Sequence, residues 1–60
     1  MLGEGKEVYV NGKHGKWIIV AAWELDSFQK EKVKAAYGYE VHNDSGQIHV
    51  VYNTDVTEVP

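Results

Sequence analysis

Apolar residues along the chain follow two periods, and the change from one to the other divides it into elements. From Glu7 to Asn11, Val8 and Val10 flank Tyr9 with the two-residue period of a half-buried strand, and Gly12-Lys13-His14-Gly15 follows as a turn. Lys16 to Trp23 is rich in β-branched and aromatic residues and too short for a buried helix, which makes it the strongest strand in the chain. The pattern changes at Leu25. Asp26 has the spacing of a helix cap relative to Gln29, Ser27 is an equally good cap, and the helix is predicted to run to about Tyr37 with Gly38 as its left-handed stop. Tyr39 to His42 alternates as a strand, Asn43-Asp44-Ser45-Gly46 turns, and Gln47 to Tyr52 alternates again. Residues 1–7 are predicted to be a frayed lead-in, and residues 53–60 a polar tail that extends the last strand or frays. The order predicts an α+β fold: hairpin-helix-hairpin (ββαββ), a mostly antiparallel four-stranded sheet with one helix packed on one face, in a single domain over 1–60.

A shift of 31 residues lays the two hairpins over each other, Gly15 on Gly46, Val10 on Val41 and Ile19 on Val50. With four-residue turns ending in glycine, Val8 and Val10 share a face with Trp17, Ile19, Ala21 and Trp23, while Tyr39 and Val41 share one with Ile48, Val50 and Tyr52. A three-residue loop ending at Gly46 mixes Glu40 and His42 with Ile48, Val50 and Tyr52, and the pattern favours the four-residue form.

One helix covers one face of such a sheet, so the other should be polar in a monomer. It is not. Opposite Trp17, Ile19 and Trp23 lie Ile18, Val20 and Ala22, joined by Tyr9 and Val51, an apolar set worth about 1.5–3 kcal/mol for each large side chain buried. Neither terminal segment has the apolar content to cover it, so Tyr9, Ile18, Val20, Ala22 and Val51 are the predicted interaction surface, with a homodimer as the expected assembly. The helix is weakly amphipathic, with Val33, Ala36 and Tyr37 on one side and Lys30, Glu31 and Lys34 on the other.

Composition sharpens this picture by exclusion. Sixty residues allow one small domain that buries only about 60% of its unfolded surface. With no cysteine, neither disulfides nor thiolate zinc sites can staple it. Nine carboxylates against six lysines and no arginine give a net charge of −3, which disfavours nucleic acid as a partner. The lysines gather near His14 (Lys13, Lys16) and on the helix (Lys30, Lys32, Lys34), where solvated faces explain them. The longest apolar run, Trp17 to Trp23, is far short of the roughly 20 residues that span a bilayer, and no signal peptide is read at the start of the chain, so a cytoplasmic protein without membrane contact is expected.

Histidine is the one chemistry-bearing residue type to weigh. In the favoured register Glu40 faces His49 and His42 lies diagonal to it, three residues of zinc-ligand type on one polar face. Flat antiparallel neighbours rarely converge to a tetrahedron, so a cross-strand Glu-His pair, sensitive to pH because histidine titrates near neutrality, is the simpler reading. Ser27 and Ser45 lie in no nucleophile motif, and Gly12-Lys13-His14-Gly15 leads to a strand rather than to the helix of a phosphate-binding loop. No enzyme and no cofactor is expected.

The element order resembles that of β-grasp modules such as the immunoglobulin-binding domains of protein G, and Val10-Asn11-Gly12-Lys13 and Glu31-Lys32-Val33 echo short stretches of that family. The resemblance covers seven residues and implies a topology alone. That family grips antibody through helix positions and a third-strand tryptophan, where this chain has Ala35, Ala36 and no tryptophan. The function expected is therefore a small non-enzymatic protein-protein interaction module, of the regulator or inhibitor type, self-associating through the outer face of its second strand. The alternative is a small metal-binding or pH-responsive domain built on His42, His49 and Glu40.

Overall fold

The last strand decides the shape of the sheet. A computed structural model describes residues 1–60. It contains β1 (Glu7–Val10), β2 (Trp17–Glu24), α1 (Ser27–Val33), β3 (Tyr37–His42), β4 (Ile48–Tyr52), a turn of 3-10 helix (Asn53–Asp55) and β5 (Val56–Glu58). The hairpin-helix-hairpin order is present, and β5 is added to it. All pairings are antiparallel, in the order β4-β3-β2-β1-β5. In a flat sheet β4 and β5 would lie about 19 Å apart, four spacings of about 4.8 Å. The 3-10 turn joining them advances only about 2 Å per residue. The sheet must therefore roll up until its two ends come within reach of that turn, and its concave face packs against itself.

That curl explains the core. Val8, Val10, Trp17, Ile19, Tyr39, Val41 and Val51 are buried together inside it, with Leu2, Ala22, Tyr37 and Val56 packed around them. The helix contributes none of these residues and buries none of its own, which corrects the expected helix on the sheet. A rolled sheet needs no covering layer. The likeness to β-grasp modules accordingly ends at the element order.

Asp26 caps α1 as expected, its Oδ1 accepting from the Gln29 N–H at 2.8 Å. The helix then stops earlier than predicted, at Lys34 in the left-handed conformation (φ 59°, ψ 41°). Two anchors hold the following residues away from a helical path. The N–H groups of Ala36 and Tyr37 both donate to Asn53 Oδ1 at 2.9 Å, and the Leu25 N–H donates to the Ala36 carbonyl at 3.0 Å. Leu25 and Ala35, at the two ends of the excursion, are buried.

Both terminal segments are ordered. Gly5 (φ 85°) and Lys6 together oppose Ile19, with Gly5 N–H donating to the Ile19 carbonyl at 2.7 Å and Ile19 N–H to the Lys6 carbonyl at 3.0 Å, a glycine bulge that turns the chain before β1. Leu2 docks on the core and its N–H donates to the Tyr39 hydroxyl at 3.0 Å. At the other end β5 pairs Val10 with Val56 and Val8 with Glu58. The first hairpin keeps its expected faces but is slid, pairing Val8 with Trp17. A β-turn closed by Lys13 N–H on the Val10 carbonyl at 3.1 Å ends β1 early, so Asn11 bonds to Asp55 instead.

Candidate interaction surface on the outer sheet face

Two local irregularities assign the faces of β2 and β4. In β2 the pairing runs Ile19 with Val41 and then Ala21 with Glu40, so Val20 is an extra residue, a β-bulge. Each side chain beyond it changes side. Ala22 moves inward against the core, and Trp23 moves outward, where it is 37% exposed. In the second hairpin the Asn43 side chain accepts from the N–H groups of Ser45 (3.1 Å) and Gln47 (2.9 Å), while Asn43 N–H donates to the Gln47 carbonyl. This closes the three-residue loop Asp44-Ser45-Gly46, with Gly46 at φ 81°, rather than the expected four-residue turn.

The register that follows is Val41 opposite His49, Glu40 opposite Val50 and His42 opposite Ile48. The outer face therefore carries a three-by-three grid across β2, β3 and β4: Ile18, His42, Ile48; Ala21, Glu40, Val50; Trp23, Gly38, Tyr52. Ile18, Val20, Trp23, Ile48 and Val50 are its exposed apolar members, and Tyr9 lies exposed on β1. Of the surface predicted from sequence, Tyr9, Ile18 and Val20 stand where expected. Ala22 and Val51 do not: the bulge turns the first inward and the shorter loop buries the second in the core.

Polar groups run down the middle of this grid. Glu40 Oε2 and His42 Nε2 are 2.9 Å apart on the outer face, both partly exposed. His49 is not with them. It lies on the inner side, its ring edge-on to Trp17 with centroids 5.4 Å apart. The expected trio of Glu40, His42 and His49 is thus split between the two faces of the sheet, and no group of three or more histidine, aspartate or glutamate side chains is placed to hold a metal ion. His14 lies with His49 beside an open depression of about 380 Å³, and its carbonyl accepts from Trp17 Nε1–H at 3.2 Å.

Trp23 is the member of the surface that sequence reasoning misplaced most. Its indole lies flat over Gly38, so close that a Cβ at Gly38 would sit 2.7 Å from the ring. A glycine inside a strand is the signal that such a contact leaves in sequence. Gly38→Ala is accordingly expected to lift the indole off β3, destabilise the fold by about 1–3 kcal/mol and shift tryptophan emission to the red, as urea titration followed by fluorescence would record. Unchanged emission and stability would mean that the ring does not rest on Gly38.

Comparison with protein-family models, with curated proteins and with solved structures finds no match. No helix is long and apolar enough to cross a membrane.

Proposed function

We propose that the protein is a small non-enzymatic interaction module, of the regulator or inhibitor kind, that self-associates through the outer face of its sheet. One observation carries the reading: Ile18, Val20 and Trp23 on β2 and Ile48 and Val50 on β4 are exposed on either side of β3. Burying each such side chain is worth about 1.5–3 kcal/mol, and the fold leaves much of that gain unused. Exposed aliphatic side chains and an indole on a rigid sheet are groups from which binding surfaces are built. Light scattering across micromolar concentrations is expected to give twice the 6.8 kDa chain mass. Ile48→Asp is expected to return it to the monomer with its circular dichroism unchanged, because Ile48 is already exposed. A wild-type monomer at every concentration removes self-association.

A pH-responsive module is the second reading, supported by the Glu40–His42 contact at the centre of the same surface. The carboxylate keeps its countercharge only while the imidazole is protonated. Glu7 lies in the same row beyond Ile18 and adds a second negative group. His42→Ala removes the Glu40 partner from the surface and should weaken association while leaving circular dichroism unchanged, as sedimentation velocity would record. Unchanged association in that variant sinks this reading.

A further inference from the structure

We infer that the second copy joins edge to edge along β4, so that two five-stranded sheets become one continuous sheet across a two-fold axis. This rests on the self-association proposed above and adds which strand carries it. The two edges of the sheet differ in kind. β5 is three residues long, an ion pair between Lys6 and Glu58 at 3.5 Å lies beside it, and Pro60 follows. Short length, charge and proline all discourage pairing at an edge. β4 runs Ile48-His49-Val50-Val51-Tyr52, has no lysine, carboxylate or proline, and pairs in the sheet with β3 alone. It is the unguarded edge.

The backbone of β4 also selects a register. Asn43 and Gln47 form a hydrogen-bonded pair at the head of the hairpin, and antiparallel ladders alternate, so His49 and Val51 bond to β3 while the groups of Ile48 and Val50 are directed away from it. A two-fold axis through Val50 sets Val50 against itself and Ile48 against Tyr52 of the second copy. These are β-branched and aromatic pairs of the kind that stabilise a sheet. Ile48 and Val50 are more than half exposed, so the pairing covers the largest unclaimed apolar area on the strand and makes the two outer faces contiguous. Because the same edge is used by both copies, the assembly closes as a dimer instead of growing into a filament.

Charge bears on which edge a second copy can use. Each chain carries −3, so a self-contact must keep carboxylates off its centre, and β4 places none there. Asp44 of one copy and Asp55 of the other come to the two ends of the paired strands, where salt screens them, and association should strengthen as salt is raised.

Amide hydrogen exchange, followed by NMR alongside sedimentation velocity over a concentration series, tests this. Dimerisation should slow exchange at Ile48 and Val50 by about tenfold or more, while the amides of His49 and Val51, bonded to β3 in every state, serve as the internal reference. Val50→Lys sets two ammonium groups against each other on the axis and should raise the dimer dissociation constant at least about 100-fold, with circular dichroism confirming the fold. A dimer whose Ile48 and Val50 amides exchange as fast as in the monomer overturns edge pairing and leaves face-to-face association standing. A protein that stays monomeric overturns both.

Discussion

Tyr39→Ala should leave the chain largely unfolded at room temperature. Tyr39 is 2% exposed at the centre of the rolled sheet, and its ring is among the largest fully buried side chains in the protein. Removing a buried aromatic ring costs about 3–5 kcal/mol through lost transfer energy and the cavity left behind. A domain of this length has roughly 3–9 kcal/mol of total stability, so one substitution uses up most of it. No second layer exists to collapse into the hole, because the sheet itself supplies both walls of the core. Tyr39→Phe separates the ring from its hydroxyl. It keeps the packing and returns the Leu2 N–H to water, so its expected cost is about 1 kcal/mol. Urea unfolding followed by circular dichroism compares the two, and similar midpoints for both variants would show that the ring is not what holds the curl.

Asn53→Ala is the second large effect, and its cause is polar. A single carbonyl oxygen, Asn53 Oδ1, accepts from both Ala36 and Tyr37 N–H at 2.9 Å and so ties the turn before β5 to the first residues of β3. Alanine leaves two partly buried donors without a partner. At about 1–3 kcal/mol for a fully buried orphan, and less for donors that water can reach, the expected loss is about 2 kcal/mol. Asn53→Asp keeps an acceptor oxygen in place and should recover most of the stability. Because Asn53 also begins the turn that delivers β5, the alanine variant should release the β1–β5 pairing first, seen as faster amide exchange at Thr57 and Val59, whose N–H groups face β1, than at Val41. Equal effects of alanine and aspartate would place the stabilisation elsewhere.

Much of the fold was legible because local chemistry and burial agreed. The β2 strand, the Asp26 cap and the hairpin-helix-hairpin order each follow from residues that act within a few positions of themselves. The faces were not legible beyond Ile19. A bulge of one residue at Val20 exchanges the sides of Ala22 and Trp23, and no pattern of alternation can show an extra residue that both flanking segments accommodate. The second hairpin failed differently. Its register is set by the Asn43 side chain closing a three-residue loop, while the apolar pattern of β4 is ambiguous, since Ile48 and Val50 on one face and His49 and Val51 on the other are all compatible with burial. Expecting the apolar face to be the core favoured the wrong one of two registers. The helix was overextended for a related reason: Ala35, Ala36 and Tyr37 suit a helix, and only the distant Asn53 draws them out of it.

The pairing of β5 with β1 has a mechanical consequence. These strands are antiparallel, and Val8 lies opposite Glu58, so the two ends of the chain leave the sheet from the same end of one seam. Tension applied at the termini therefore loads the hydrogen bonds of that seam one after another, as a zipper is opened, rather than all together as in shear. The bonds nearest the two ends take the load first, Leu2 to Tyr39 and Gly5 and Lys6 to Ile19 on one side and Val59 to Glu7 on the other, and the β1–β5 ladder opens behind them.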